Sequence, residues 1–423
     1  MPETIDALYA FLVAGVLAWA LVPATEGLAR RIGALDRPKE RSLHSVPTPK
    51  LGGLAILAGV LAAGLLGSVL FDWLPWNDQT RAILAGAVVI AAVGAADDVF
   101  ELAPGWKLLG QVVAVVIPVS EGVTVQTFTF PFLGGLKPSS VDLFELPLIG
   151  MVDLGFVLTV IGIVAIVNVI NFIDGVDGLA AGVCAIAAGT LAVIALSLDR
   201  NAAGVLAALT TGAALGFLRH GFPPASSFMG DTGSNLLGYL LGAIAIQGAL
   251  KTNAVVALFF PLIILAVPIL DSSFVIAKRL KYRQPIYVGD RSHFHHRMAN
   301  IGFSQRRTLA YLYGWALVMA GLALALRFVP YSDDRGNFDA AWTAVMIGCG
   351  LIALAASVYL VLVLEILKLR SFRLHQIIGL RRRAGGPPPV PEEVDAGVVR
   401  ELEMGEFPTV DPDTGELQQL DRS

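Results

Sequence analysis

Eleven apolar runs separated by polar connections dominate the chain, at about residues 5–24, 51–71, 82–96, 108–120, 156–170, 178–198, 202–218, 235–250, 254–276, 308–328 and 340–366. A bilayer core about 30 Å thick needs roughly 20 apolar helical residues to cross it, and most of these runs approach that length. Backbone polar groups in lipid must be satisfied within their own segment, so such runs fold as helices. Hydrophobic residues make up 55% of the 423 and charged residues 15%, with a mean hydropathy of +0.70. Those values are too apolar for a soluble chain of this size. The expectation is an all-α integral membrane protein with about eleven transmembrane helices. The first run has no basic stretch before it and no small-residue cleavage site after it, so it reads as a span rather than a signal peptide.

Lys and Arg alternate in density between connections. Residues 25–50 carry Arg30, Arg31, Arg37, Lys39, Arg41 and Lys50; residues 277–307 carry eight more, and Lys368, Arg370 and Arg373 follow the last run. The connections of opposite parity hold one or two, such as Lys137 and Lys251. Positive residues mark the cytoplasmic side, which puts the N-terminus outside and the C-terminus in the cytoplasm. Residues 1–370 read as the membrane domain and 371–423 as a cytoplasmic tail. From about residue 384 that tail is rich in Pro, Gly and acids, the composition of a disordered segment. Cys184 and Cys349 both fall in apolar runs, which argues against a disulfide framework.

With this orientation every cytoplasmic connection holds an unusual polar motif: RSLHSVPTPKLGG (41–53), AADDVFELAPGWKLLGQ (95–111), NFIDGVDGL (171–179), FMGDTGS (228–234) and GDRSHFHHRM (289–298). Each has a plain structural reading. Asp97 and Asp98 are a common pairing at a solvated helix end. Neighbours on a helix point about 100° apart, so both serve one site only where the helix stops. Asn171, Asp174 and Asp177, spaced three apart, would share one broad face if helical. A helix cap explains one of those acids but not two. Asp231 reads as an N-cap, with Ser234 as its competitor, and a helix start beside glycines also attracts phosphate. His293, His295 and His296 could bind zinc, but Arg291 and Arg297 flank them and suit a phosphate better. An exposed basic loop against anionic lipid is the plain alternative there. Carboxylates without thiolates select a hard cation, and Mg²⁺ takes one or two of them together with substrate phosphates. The chemistry pointed to is phosphoryl transfer at a membrane surface.

Taken together the five motifs resemble, in order and spacing, the polyprenyl-phosphate N-acetylhexosamine-1-phosphate transferases, over about residues 1–370. The resemblance implies transfer of N-acetylhexosamine-1-phosphate from a UDP-sugar to undecaprenyl phosphate, with Mg²⁺ (Mn²⁺ as a substitute) and release of UMP. It makes Asp97, Asp98 and Asp231 the catalytic acids, with Asp231 and Asp98 at the metal and Asp97 activating the lipid phosphate. It makes Lys50, Lys107, Asn171, Asp174, Asp177, His293, His295, His296 and Arg297 substrate-binding residues. In HFHHR, Phe294 interrupts the histidines, as in the branch that uses GlcNAc; three adjacent histidines mark the branch that uses UDP-MurNAc-pentapeptide, which is the alternative. The implied setting is the inner (plasma) membrane, with membrane lipids and a homodimeric second copy as partners and no nucleic acid. An ion-coupled transporter is a rival of another class, with the acids as an ion path; it predicts acids near span centres, whereas these sit at span ends on one face.

Overall fold

The computed structural model describes residues 2–36, 47–125, 128–130, 134–147, 150–249, 304–331 and 339–359, together with Ala266, Ile269, 409–410 and 417–418. Ten helices occur among them: α1 (Pro2–Ile32), α2 (Gly53–Val69), α3 (Asp78–Phe100), α4 (Pro104–Ser120), α5 (Leu154–Ile173), α6 (Leu179–Ser197), α7 (Asn201–Gly221), α8 (Gly230–Ala249), α9 (Gln305–Phe328) and α10 (Ala340–Val358). Each coincides with one of the eleven apolar runs, and the run at 254–276 lies outside the described residues. Seven of the helices are long and apolar enough to cross a membrane, namely α1, α3, α5, α6, α7, α9 and α10. α2 and α4 are apolar but reach only 17 residues each. α8 opens on the polar stretch GDTGSN.

The chain divides into two compact units, Met1–Ser272 with Leu309–Cys349, and Ser273–Thr308 with Gly350–Ser423. In the second, the described residues include the first turn of α9, the last turns of α10 and a short antiparallel pairing of Thr409–Val410 with Leu417–Gln418. The motif at 289–298, with His293, His295, His296 and Arg297, lies outside the described residues, as does most of the tail.

In the first unit, local chemistry sets the helix ends. The Asn77 side chain accepts from the Thr80 N–H at 2.8 Å and starts α3. Asp153 does the same for α5 through the Phe156 N–H at 2.6 Å, and Pro104 opens α4, where a missing N–H is harmless. Glu101, with a left-handed φ of 50°, ends α3. Short connections then make consecutive helices antiparallel. Two hairpins, 128–130 with 134–136 and Asp142–Leu146 with Gly150–Asp153, lie between α4 and α5.

Lipid is as apolar as leucine, so helices in a bilayer gain from close backbone approach at small residues. α1 and α7 meet this way. A Cβ built on Gly212 would lie 2.0 Å from the Phe11 carbonyl oxygen, and one on Gly216 would lie 2.1 Å from that of Gly15. α3 and α8 close at Gly94, where a Cβ would meet the Asp231 carbonyl oxygen at 2.5 Å. One turn of contact deeper, the buried Tyr239 hydroxyl donates to the Ile83 carbonyl at 3.0 Å. These seams fix how the ends of α3 and α8 meet, and that end is where the polar motifs gather.

Gly212→Val should therefore force α1 off α7 and cost about 1–3 kcal/mol, the range for overpacking a tight contact. A lowered thermal unfolding midpoint in detergent, with Gly314→Val (open space around the Cβ) close to the parent, is the expected outcome.

Candidate functional site

The first, second, third and fourth polar motifs meet at one end of this unit. Their frame is main chain. The Phe228 N–H donates to the Pro49 carbonyl at 2.8 Å, and the Gly52 and Gly53 N–H groups donate to the Phe228 and Met229 carbonyls at 3.0 Å each. The TPKLGG segment thus lies along FMGD like a short strand. Gly53 permits it, because a Cβ there would meet the Gly233 nitrogen at 2.2 Å. Lys50 contributes its backbone: its carbonyl oxygen would be 2.3 Å from a Cβ on Gly230, whose φ is +64°. The Lys50 ammonium turns away to Asp36, 3.7 Å distant. Sequence placed Lys50 among the substrate ligands; the structure does not bring its charge to the other site residues.

Asp98 holds the start of α8. Its Oδ1 accepts from the Asp231 N–H at 2.9 Å, and its Oδ2 accepts from the Thr232 N–H at 3.0 Å and the Thr232 hydroxyl at 2.7 Å. A helix start normally takes an acceptor from its own preceding residues. Here the acceptor is a carboxylate from another helix, so neither Asp231 nor Ser234 is the N-cap that the sequence suggests. Ser234 instead donates to the Gly230 carbonyl. Both Asp98 oxygens, assigned to a metal by resemblance, are engaged with α8.

Asp97 points the other way. Its Oδ1 accepts from the Leu102 N–H at 2.8 Å, tying the turn from α3 into α4, and its Oδ2 receives the Lys107 ammonium at 2.9 Å. Lys107, on the first turns of α4, also reaches Asp231 Oδ2 at 2.7 Å and Asn171 Oδ1 at 3.4 Å. Its three N–H donors therefore have three acceptors. The Asn171 amide donates to Asp231 Oδ1 and to the Ser234 hydroxyl. With side chains only 18% (Lys107) and 10% (Asp97) exposed, water screens this pair far less than a surface pair.

A second polar rung lies one turn further along the same helices. Asn168 Nδ2 donates to Gln111 Oε1 at 2.8 Å and to the Val164 carbonyl, and Gln111 is fully buried. The pair sets the register of α4 against α5, so that Lys107 faces Asn171. Sequence reasoning did not single it out; its only sign there was two amides at i+4 from Lys107 and i−3 from Asn171.

The helical face proposed for Asn171, Asp174 and Asp177 does not form. α5 ends at Ile173, so Asn171 alone is helical and the two acids lie in the turn before α6. Asp177 Oδ2 accepts from the Ala225 N–H at 3.2 Å, binding that turn to the loop leading into α8. Asp174 faces the other acids. Burial, then the charges of Asp231, Asp98 and Asp177, push its carboxyl well above the ordinary Asp value of 3.8.

Among the described residues no three acids, histidines or cysteines converge as a ready-made metal cage. The donors present are oxygen-only, with the Asp97 and Asp231 carboxylates meeting at one ammonium. That set fits a hard cation that completes its coordination with phosphates and water.

Residues 80–249, which contain every described site residue except Lys50, match the family described as "Glycosyl transferase family 4". The chain is similar to a probable undecaprenyl-phosphate N-acetylglucosaminyl 1-phosphate transferase of Bacillus subtilis, 36% identical over 318 residues, covering 75% of this chain and 84% of the relative. It is similar to a decaprenyl-phosphate N-acetylglucosaminephosphotransferase of Mycobacterium tuberculosis, 33% identical over 342 residues (75% and 82%). It is also similar to a phospho-N-acetylmuramoyl-pentapeptide-transferase of Desulforudis audaxviator, 32% identical over 354 residues (77% and 98%).

Two outcomes follow from the geometry. Asp98→Ala leaves the α8 N–H groups without their acceptor and should cost about 0.5–2 kcal/mol, as loss of a helix cap does; Thr232→Val, which removes one donor of three, should cost less in the same thermal unfolding measurement. For Asp174, the folded chain keeps its proton to higher pH than the unfolded chain. Its stability contribution is therefore full below pH 3.8 and is lost as pH rises through the raised folded value. In divalent-free detergent solution Asp174→Asn should unfold at a higher temperature than the parent, by a margin larger at about pH 8 than at about pH 5.

Proposed function

The chain belongs to glycosyl transferase family 4, and from that premise we propose that it transfers GlcNAc-1-phosphate from UDP-GlcNAc to undecaprenyl phosphate, releasing UMP. The observation that carries the reading is the meeting of Asp97, Lys107, Asn171 and Asp231 at the end of a membrane-helix unit. Such a place suits one substrate held in lipid and one in water. The GlcNAc assignment is supported by the names of the two relatives first described and by the HFHHR motif; the muramoyl-pentapeptide relative supports the second reading less well, at lower identity. The Lys/Arg distribution supports placing the protein in the plasma membrane with this end facing the cytoplasm.

In the proposed reaction an oxygen of the lipid phosphate attacks the β-phosphorus of the UDP-sugar. The bond from that phosphorus to the bridging oxygen breaks, and UMP leaves with the electron pair. Asp97, hydrogen-bonded to Lys107, is placed to orient the acceptor phosphate and keep it deprotonated. Lys107 supplies positive charge where the diphosphate lies, and Asn171 fixes the orientation of Asp231. Asp231 would hold Mg²⁺, which when bound neutralises charge building on the diphosphate as the bond breaks. Asp98 acts through α8, keeping the Asp231 backbone in place. Asp174 and Asp177 line the nucleotide side, with Asp177 also shaping its turn. His293, His295, His296 and Arg297 complete the diphosphate and sugar contacts.

UMP release by detergent-solubilised protein, with undecaprenyl phosphate and with UDP-GlcNAc, UDP-GalNAc or UDP-MurNAc-pentapeptide side by side, tests this reading. Release with UDP-GlcNAc, abolished by chelation and restored by Mg²⁺, is expected; no release with any of the three would sink it. Asp231→Asn should lower kcat at least about 100-fold, the scale of losing an electrostatic group at a transition state, while the protein still inserts and unfolds at a near-parental temperature.

A further inference from the structure

The turn that carries Asp174 and Asp177 ends at Gly178, which has a left-handed φ of +76° and is the first residue before α6. The Gly178 carbonyl accepts the first helical bond of α6, from the Gly182 N–H at 2.9 Å. It also accepts a second, from the hydroxyl of Tyr313 on α9 at 2.6 Å. The ring of Tyr313 sits in a notch made by Gly182: a Cβ there would lie 2.1 Å from the hydroxyl oxygen and 2.2 Å from the ring carbon that bears it. On its other side Gly178 is closed in by α7, where a Cβ would lie 3.0 Å from Leu218 and 3.3 Å from the Gly221 carbonyl oxygen.

α9 grips α6 at its far end as well. Arg327 donates from Nη2 to the Ser197 carbonyl at 2.6 Å and from Nε to the Ser197 hydroxyl at 2.8 Å. A cation on the last carbonyls of a helix satisfies them and complements their partial charge. One helix thus holds α6 at both ends, and the Tyr313 end is the one that touches the acid turn. The glycine four residues after Gly178 then has a purpose that the acids of NFIDGVDGLAAG do not reveal: it makes room for this phenol.

We propose that Tyr313 is a positioning residue that fixes the turn bearing Asp174 and Asp177 by locking the Gly178 carbonyl, and so sets the affinity for the nucleotide-sugar. Asp177 ties that turn to the loop before α8 through the Ala225 N–H. A turn between two helices keeps its shape where its carbonyls are bonded from outside it. The hydroxyl of Tyr313 supplies such a hold at Gly178, whereas Asp97, on the lipid-phosphate side, is bonded to the Leu102 N–H and Lys107.

Tyr313→Phe removes the hydrogen bond and keeps the ring in its notch. Amide hydrogen exchange over residues 174–182 should quicken, and KM for UDP-GlcNAc should rise about threefold to tenfold, the worth of one net hydrogen bond. KM for undecaprenyl phosphate should stay at the parental value, and the thermal midpoint should fall only slightly, as loss of one hydrogen bond does. Gly182→Ala, which displaces the ring, should give the same change in exchange and KM together with a lowered thermal midpoint, as overpacking a tight contact does, and the double variant should be no worse than Gly182→Ala alone. Unchanged exchange over 174–182 in Tyr313→Phe overturns the proposal. So does a common fall in kcat, both affinities and the thermal midpoint, which would mark a purely structural contact. The kinetic arm rests on the proposed transferase reading. If the parent releases no UMP from any nucleotide sugar, that reading falls, and the exchange measurement still decides the role of Tyr313.

Discussion

Asp97, Asp98, Asp174 and Asp231 crowd one end of the helical unit, and the repulsion among them sets what the neighbouring elements must supply. Two unit charges 4 Å apart interact by about 4 kcal/mol at an effective dielectric of 20, so four unpaired carboxylates could not stay together at neutral pH. The chain answers in three ways. Lys107 places one ammonium against Asp97 and Asp231. The opening of α8 turns two N–H groups and a hydroxyl on Asp98. Asp174 has no such donor among the described residues, and its carboxyl is pushed upward instead.

These answers require helix ends to approach backbone to backbone, which is why glycine is concentrated where they meet. Gly94 admits the first turn of α8 against α3, and Gly53 admits the same turn against α2. Gly230, at φ +64°, lies so close to Asp98 that a Cβ would sit 2.5 Å from its carboxylate. The amide pair of buried Gln111 and half-buried Asn168 performs the corresponding task between α4 and α5, with hydrogen bonds in place of small residues. Buried polar pairs of this kind define one register, because a slip leaves both amides unsatisfied in an apolar surround.

Much of this was legible in the chain. Apolar run length marked ten of the helices, though α1 runs on to Ile32, eight residues past its run; the oxygen-rich, thiolate-free motifs marked the acids and Asn171 as one chemical set, and the resemblance added Lys107. Run length says nothing, however, about which ends touch. The resemblance put Asp98 at a metal, and nothing local to AADDVFEL shows that its partners are the N–H groups of residues 231 and 232. The resemblance put Lys50 among the substrate ligands, yet its carbonyl is what approaches Gly230, while its ammonium lies by Asp36. The spacing of Asn171, Asp174 and Asp177 suggested one helical face, but α5 ends at Ile173 and Gly178, at φ +76°, turns the chain into α6. Tyr313 carried no signal, since an aromatic residue in an apolar helix reads as one more lipid-facing or packing side chain.

The paired aspartates show how helix geometry divides labour. Adjacent residues on a helix diverge by about 100°, so Asp97 and Asp98 cannot both face one ligand while α3 stays helical through them, and it does, to Phe100. Divergence is an asset where three helix ends meet. Asp97 looks toward α4 and collects Lys107, while Asp98 looks toward α8 and collects its opening turn. Each carboxylate ties α3 to a different neighbour, and both ties end on residue 231, one through the Lys107 ammonium to its side chain and the other to its backbone N–H. Asp231 is thereby held at both its main chain and its carboxylate by the same two residues of α3, and a shift of that helix end would move either both anchors or neither.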